Sequence, residues 1–130
     1  MLLNPDITLR QAGASDWTAI QALLQANNLP SDGAQQHLSN YLLAIDNGEV
    51  VGSAGVEVYG AIALLRSVAV APGLQGQGIG QALVSRLLLE AGRRRIAQLF
   101  LLTVTAPEYF ARFGFKRVSI EQAPPSLKAS

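Results

Sequence analysis

The sequence predicts an α/β (α+β) fold in which helices cover both faces of a mixed, mostly antiparallel central sheet. A length of 130 residues, with 49% hydrophobic and 15% charged residues, suits one compact domain with a large interior. Three strand-like segments between residues 41 and 70 follow one another through two tight turns, as in an antiparallel meander. A helical period after residue 78 is then followed by a strongly apolar segment, which completes the mixture of helices and strands.

The first third of the chain is predicted to hold one strand and two helices. Residues 7–11 alternate weakly between apolar and polar side chains, which is typical of a strand. Ser15 is placed to cap the helix that follows. Four apolar residues share one face of that helix: Trp17, Ile20, Leu23 and Leu24. A short polar helix is expected over residues 34–40, and its His37, the only histidine, is assigned a structural role or none.

The prediction of a meander depends on the residues of its two turns. Asn47-Gly48 is the strongest short hairpin signal, so residues 41–45 and 50–58 are predicted to pair. A second two-residue turn at Tyr59-Gly60 leads into a third strand over residues 61–70.

The last part of the chain is predicted as helix, strand, helix and strand. The helix over residues 78–91 carries an apolar stripe wide enough to be buried against the sheet. Residues 96–104 are too apolar to face water on either side, so we expect a strand covered on both faces. A capping box at residues 105–108 opens a short helix that ends at Gly114, and residues 115–120 form a final strand.

Charge and composition exclude several classes of function. Ten Lys and Arg against nine Asp and Glu leave a formal net charge of +1, too small a field to hold nucleic acid or an anionic membrane. The absence of cysteine excludes disulfides, thiolate metal sites and acyl-cysteine intermediates, and we expect no metal. Because the sequence has no signal-like start and no apolar run of about 18 residues, we expect a cytoplasmic protein. One domain is expected over residues 1–130, with a loose tail at 121–130.

A glycine-rich loop, residues 75–80, opens the long helix. Free amides at a helix start attract an anion, and glycine lets backbone approach it closely. A Walker loop is excluded because its last glycine would need Lys and then Ser or Thr. The dinucleotide fingerprint is a weak alternative, since the spacing is G-x-G-x-G and the preceding strand belongs to hairpins. A turn that only lets the helix pack closely stays an alternative.

Residues 68–83, Val-Ala-Val-Ala-Pro-Gly-Leu-Gln-Gly-Gln-Gly-Ile-Gly-Gln-Ala-Leu, resemble motif A of the GNAT superfamily of N-acetyltransferases. The core of that motif is Arg or Gln, two residues, Gly, one residue, then Gly or Ala. The resemblance implies acetyl-CoA as cosubstrate, with main-chain groups of the strand on the pantetheine arm and loop amides on the pyrophosphate. The cofactor-binding set that it implies is Val68, Ala69, Val70, Gln75, Gly76, Gln77, Gly78, Ile79, Gly80, Gln81, Phe110 and Arg112. Within the superfamily the chain is most similar to the short arsenic-resistance-associated members, through Glu57, Tyr59-Gly60 and residues 64–67.

Acetyl transfer to an amine needs a group that removes a proton, and Glu57 is the candidate. It is the one carboxylate predicted inside a strand beside the cofactor strand. The second turn would pair Glu57 with Ile62 and Ser53 with Arg66, so Glu57 and Arg66 share one face. At roughly 13 Å apart they are too distant for an ion pair but suit the two ends of a small zwitterion. Glu57 would be base or amine anchor, Arg66 would bind an oxyanion and Tyr59 would contact the substrate; a solvated Glu57 is the alternative.

The proton donor to the leaving thiolate is less clearly marked. Many GNAT members use a tyrosine four residues before the glycine of a Gly-Phe pair, and here that position is Phe110. Its neighbour Tyr109 is the candidate acid, against a plain packing role. Arg112 and Lys116 are candidates for the 3′-phosphate of coenzyme A, whereas arginines 93–95 lie too far along the helix.

These features predict direct acetyl transfer, in a ternary complex, to the amine of a small molecule such as an amino acid or an arsenic-linked compound. The alternatives are a non-catalytic sensor that binds coenzyme A and a phosphate-binding structural protein. The related short proteins generally continue beyond the segment matching residues 123–127, so either part of the acceptor wall or a dimer contact is expected to differ here; a homodimer stays an open alternative.

Overall fold

The computed structural model describes residues 4–101 and 107–115. Within these ranges, five strands form one sheet in the order β1-β2-β3-β4-β5. The strands are β1 Ile7–Gln11, β2 Tyr41–Asp46, β3 Glu49–Tyr59, β4 Ile62–Val70 and β5 Gln98–Leu101. Neighbours pair antiparallel except β4 and β5, which are parallel, so the predicted mixed and mostly antiparallel sheet is confirmed.

Helices pack on both faces of this sheet, as predicted. The helices are α1 Trp17–Ala26, α2 Ile79–Arg93 and α3 Pro107–Ala111, with 3-10 segments at Ala14–Asp16 and Ala34–Asn40. On one face, the fully buried Ile20 and Leu24 of α1 meet Leu43. On the other face, the buried α2 side chains, among them Ile79 and Leu83, form a second core.

The two hairpin turns differ in how well the sequence predicted them. Asn47 and Gly48 have φ of 56° and 80°, and the strands on either side pair as expected. The second turn is Gly60-Ala61, because Tyr59 pairs with Ile62. Gly60 has φ of 65°, and a two-residue turn with glycine first places its positive φ at that position. The predicted Tyr59-Gly60 turn is therefore wrong by one residue.

A β-bulge interrupts β4 at Ser67. The register changes between Ser53 and Gly55, so Ser67 and Val68 together face one residue of β3. Ser67 has φ of 59°, which a non-glycine residue rarely adopts. The bulge reverses the side-chain alternation: Leu65 faces the α2 core and Ala69 faces the α1 core.

Further expectations are corrected or limited. Ser15 lies inside a 3-10 turn and caps nothing; instead the Asp16 carboxylate accepts the Gly13 N–H at 2.8 Å. The described part of β5 is only half-buried, with Gln98 exposed, because in the described residues it pairs with β4 alone. The rest of that strand, the start of the capping box and the tail lie outside the described residues, as does the predicted final strand after Phe115. α3 ends at Ala111, three residues before the predicted Gly114, whose N–H donates to the Ala111 carbonyl in the turn that follows and whose φ is 90°.

In the ranges that the structure describes, we find no helix with both the length and the apolar character needed to cross a membrane.

Candidate functional site

The glycine loop leaves the start of α2 open. Gly76 and Gly78 have φ of 81° and 87°, and Gly78 is the N-cap of α2 with no side-chain cap hydrogen bond. A Cβ added at Gly76 would meet nothing within 4 Å. Helix N-termini carry free amides and a partial positive charge, so the loop residues fit a diphosphate group.

The strand edge that leads to this loop also offers backbone groups. The Ala71 N–H donates to the Val51 carbonyl at 2.8 Å, so it points towards β3. Alternation along a strand then directs the backbone groups of Val70 to the opposite edge, whereas Val68 belongs to the bulge. In the described residues, β5 pairs with residues 62–65 of β4, which precede the bulge.

One of these groups already has partners. The Val70 carbonyl accepts hydrogen bonds from Asn27 Nδ2 and Gln75 Nε2, each at 3.2 Å. Gln75 also donates to the Asn27 side chain, so this end of the edge is tied to the C-terminus of α1.

Tyr109 reaches the start of α2. A Cβ added at Gly80 would lie 2.9 Å from the Tyr109 hydroxyl, so residue 80 accommodates the tyrosine only because it is glycine. Burial raises the pKa of Tyr109, and the Arg112 guanidinium lies over its ring at 5.6 Å. Phe110 packs instead against the α2 core. The two neighbouring aromatic residues thus point to different places, and Arg112 is engaged with Tyr109.

An ion pair lies on the other face of the sheet. Glu57 is buried, and its Oε2 accepts a hydrogen bond from Arg66 Nη1 at 2.6 Å. Glu57 and Arg66 share one face, as predicted, but the predicted 13 Å separation is wrong. Because Glu57 pairs with Leu64 and Arg66 with Gly55, the two residues are diagonal neighbours.

Both oxygens of Glu57 have donors. The Tyr59 hydroxyl donates to Oε1 and Arg66 donates to Oε2. Burial alone raises the pKa of Glu57, but the hydrogen bonds from Tyr59 and Arg66 and the Arg66 charge outweigh it and lower the pKa below its ordinary value. The carboxylate is therefore ionised at neutral pH.

A loop from α1 covers Arg66. The Pro30 carbonyl lies 3.4 Å from Arg66 Nη2, and a Cβ added at Gly33 would lie 3.4 Å from Nη1. Only 16% of the Arg66 side chain is exposed. The pair is thus enclosed between the sheet and the segment that joins α1 to the 3-10 segment.

Sequence reasoning missed His37. Its Nε2 lies 3.9 Å from Glu57 Oε1, and its ring centroid is 6.5 Å from that of Tyr59. The 3-10 segment folds over β3 and places the imidazole there, and no local pattern in the sequence indicates this contact. The assignment of a structural role or none therefore overlooked a titratable group beside the ion pair.

A buried hydroxyl network holds the bulge next to Arg66, and the sequence did not indicate it either. The hydroxyls of Tyr41 and Ser67 are 2.6 Å apart, and Ser53 Oγ donates to the Ser67 carbonyl at 2.7 Å. The Tyr41 ring occupies the space that a Cβ of Gly55 would fill. Burial raises the pKa of Tyr41, so its hydroxyl stays protonated and the network stays neutral.

Comparison with known proteins identifies the family. Residues 37–117 match the acetyltransferase (GNAT) domain, and the chain belongs to this family. An amino-acid acetyltransferase of Mycobacterium tuberculosis is 40% identical over 72 residues, which cover 55% of this chain and 41% of that protein. An uncharacterized N-acetyltransferase of Chlorobaculum tepidum is 27% identical over 93 residues, covering 71% and 59% respectively. The chain spans about half the length of these curated relatives.

Solved structures show the same fold. N-acetylglutamate synthase from Neisseria gonorrhoeae, complexed with coenzyme A and L-arginine, superposes with a TM-score of 0.84 at 24% identity over 97% of this chain and 31% of that chain. The Mycobacterium tuberculosis protein Rv2747, in complex with CoA, gives 0.78 at 28% identity over 92% and 78%.

Proposed function

We propose that this chain is an acetyl-CoA-dependent N-acetyltransferase for a small amine that also carries a carboxylate or another oxyanion, such as an amino acid. The observation that carries the proposal is the enclosed Glu57–Arg66 pair in a GNAT domain. Acetyl-CoA would supply the acetyl thioester. Amides between residues 75 and 81 would hold its pyrophosphate, and the β4 edge at residues 68–70 its pantetheine arm.

The pair matches a zwitterion in charge and in spacing. The ammonium group of the substrate has the same charge as the Arg66 guanidinium, so it would take the place of Arg66 at the Glu57 carboxylate. The carboxylate of the substrate would take the place of Glu57 at the Arg66 guanidinium. Because the two side chains touch, the fit favours charges on neighbouring carbon atoms, as in an α-amino acid, over a long zwitterion. Tyr59 would contact the ammonium group from its position on Glu57. The relative named as an amino-acid acetyltransferase supports this choice.

The state of Glu57 favours anchoring over proton removal. Its lowered pKa and its two donors make it a stable anion that holds an ammonium group well and accepts a proton poorly. Tyr109, whose hydroxyl lies at the start of α2, is the proposed donor to the leaving thiolate. Transfer would be direct, with no covalent intermediate on the protein.

Four further predictions from the sequence stay proposals: an arsenic-linked acceptor, a homodimer, a cytoplasmic location and a single domain. The sensor that binds coenzyme A without catalysis is the second candidate function. It is favoured by one observation, the packing of Phe110 in the core at the position where many members have the acid tyrosine.

The test combines calorimetry with the release of free thiol. Acetyl-CoA is titrated into the folded protein, and thiol release is then measured with α-amino acids and with the matching decarboxylated amines. We expect binding, turnover of amino acids, and a selective rise in KM for amino acids in Arg66→Met. Arg86→Met, an exposed arginine of α2, is the matched control. Binding without thiol release from any amine would leave the sensor, and no binding would contradict both functions.

A further inference from the structure

Transfer to an amino acid requires a proton acceptor that the ion pair does not provide. An ammonium group must lose one proton before its nitrogen attacks a thioester. Oε1 of Glu57 already accepts from Tyr59, and Oε2 accepts from Arg66. A proton on Glu57 would neutralise the carboxylate that anchors the ammonium group and would occupy an oxygen that now accepts a hydrogen bond.

We propose that His37 accepts the proton of the acceptor amine and that Glu57 is the carboxylate that positions this amine beside the imidazole. The inference rests on the proposed function. It assigns a role to a residue of the 3-10 segment that faces the site only through the tertiary fold.

The geometry supports a carboxylate–imidazole arrangement. Nε2 of His37 faces Oε1 of Glu57 at 3.9 Å, longer than a hydrogen bond, as is common for catalytic contacts before a substrate is bound. An ammonium group held by Oε1 would lie next to Nε2, so the neutral tautomer that carries its hydrogen on Nδ1 offers Nε2 as the acceptor. Among the described residues, Nε2 of His37 accepts no hydrogen bond that would compete with an amine.

The charges around the imidazole suit a proton acceptor. Among the described residues, the titratable groups that face the imidazole are Glu57 and Tyr59 of β3. Arg66 of β4 contacts the other oxygen of Glu57. The anionic Glu57 stabilises an imidazolium once it forms. The His37 side chain is 25% exposed, so the proton can pass from the ring to water.

The proton balance is complete with this assignment. The ammonium N–H bond breaks and its proton moves to Nε2 of His37, which frees the nitrogen lone pair for attack on the thioester carbon. The new C–N bond forms, the C–S bond breaks with its electron pair on sulfur, and a second N–H proton ends on the thiolate. The net products are amide, free thiol and one proton released to water.

The decisive experiment is the pH profile of kcat/KM for His37→Gln and Glu57→Gln, with the best amino acid from the thiol assay. The wild-type rate should fall on the acid side, because a base that already carries a proton cannot accept another from the amine. In His37→Gln we expect turnover at neutral pH to fall about 100-fold and this acid limb to disappear. The deficit should shrink at high pH, where the free amine needs no acceptor. Glu57→Gln should raise KM and keep an acid limb.

Rescue and controls separate catalysis from structure. Imidazole added to His37→Ala should restore part of the rate, which a purely structural role would not allow. Gln35→Ala, an exposed residue of the same segment, is the matched control. Each variant should keep the acetyl-CoA affinity and the circular dichroism spectrum of the wild type. If His37→Gln or His37→Ala does not, His37→Asn is measured in its place.

Two outcomes would overturn the assignment. His37→Gln within threefold of wild-type turnover, with an unchanged acid limb, would return the base role to Glu57 or to water. Wild-type protein that binds acetyl-CoA but acetylates no amine would remove the proposed function and this inference together, whereas failure of the His37 variants alone leaves the function standing.

Discussion

Replacing Arg66 by Met should leave a buried, uncompensated charge on Glu57. The Glu57 side chain is 6% exposed and the Arg66 side chain 16%, so solvent screens the pair weakly. Breaking a buried ion pair by removing one partner typically costs 3–5 kcal/mol, and because Tyr59 still donates to Glu57 we expect about 3 kcal/mol. The loss should depend on pH. Since the folded-state pKa of Glu57 is lowered, its stabilising effect is present above the unfolded value and is lost as pH falls through the folded value.

Urea denaturation at pH 7.5 and at pH 4 measures this loss. The destabilisation of Arg66→Met should be largest at pH 7.5 and smaller at pH 4. The double variant with Glu57→Gln should recover at least about 1 kcal/mol relative to the sum of the single changes. Arg86→Met, which removes an exposed pair with Glu90, should change stability by less than about 0.5 kcal/mol. Additive single changes, or a loss in Arg66→Met no larger than in this control, would refute a buried ion pair.

Two more predictions concern packing and acid stability. In Gly55→Ala the new Cβ would lie 2.2 Å from the Tyr41 ring, so we expect a loss of about 2–3 kcal/mol in urea denaturation. Gly92→Ala, on a helix position with nothing within 4 Å, should instead gain up to about 1 kcal/mol; similar effects at both sites would contradict the packing argument. The hydrogen bond from Arg10 lowers the pKa of Asp16 to about 2, so its stabilising effect is full above the unfolded value of about 4 and is lost between about pH 4 and 2. Asp16→Asn should cost about 1–2 kcal/mol at pH 7 and flatten the stability curve below pH 4, and an unchanged acid slope would argue against the pair.

The parts of the fold that depend on local sequence were predicted well. Asn47-Gly48 prefers the positive φ of a tight hairpin, and the hairpin forms there. The glycine loop and the apolar stripe of α2 are also local patterns, and the structure places Gly78 as the N-cap of a helix buried along that stripe. The order of β2, β3 and β4 in the sheet followed from the two hairpin turns.

Register was the main failure, because it depends on which turn residue takes the positive φ. Moving the second turn to Gly60-Ala61 brings Glu57 and Arg66 from opposite ends of a ladder into contact. Side-chain alternation has a period of two, so the shared face survived the error while the distance did not. The bulge at Ser67 has no local signal, since Tyr41 and Ser53 hold it from distant strands.

The sequence by itself determined the family motif, the helix that opens at the glycine loop and the shared face of the two charged residues, because these follow from backbone preferences within a few residues. Only the tertiary structure decided that Arg66 neutralises Glu57, that His37 stands beside this pair and that Tyr109 reaches Gly80. These contacts join elements far apart in the chain, and their energies come from burial and charge pairing that exist only once the layers have packed.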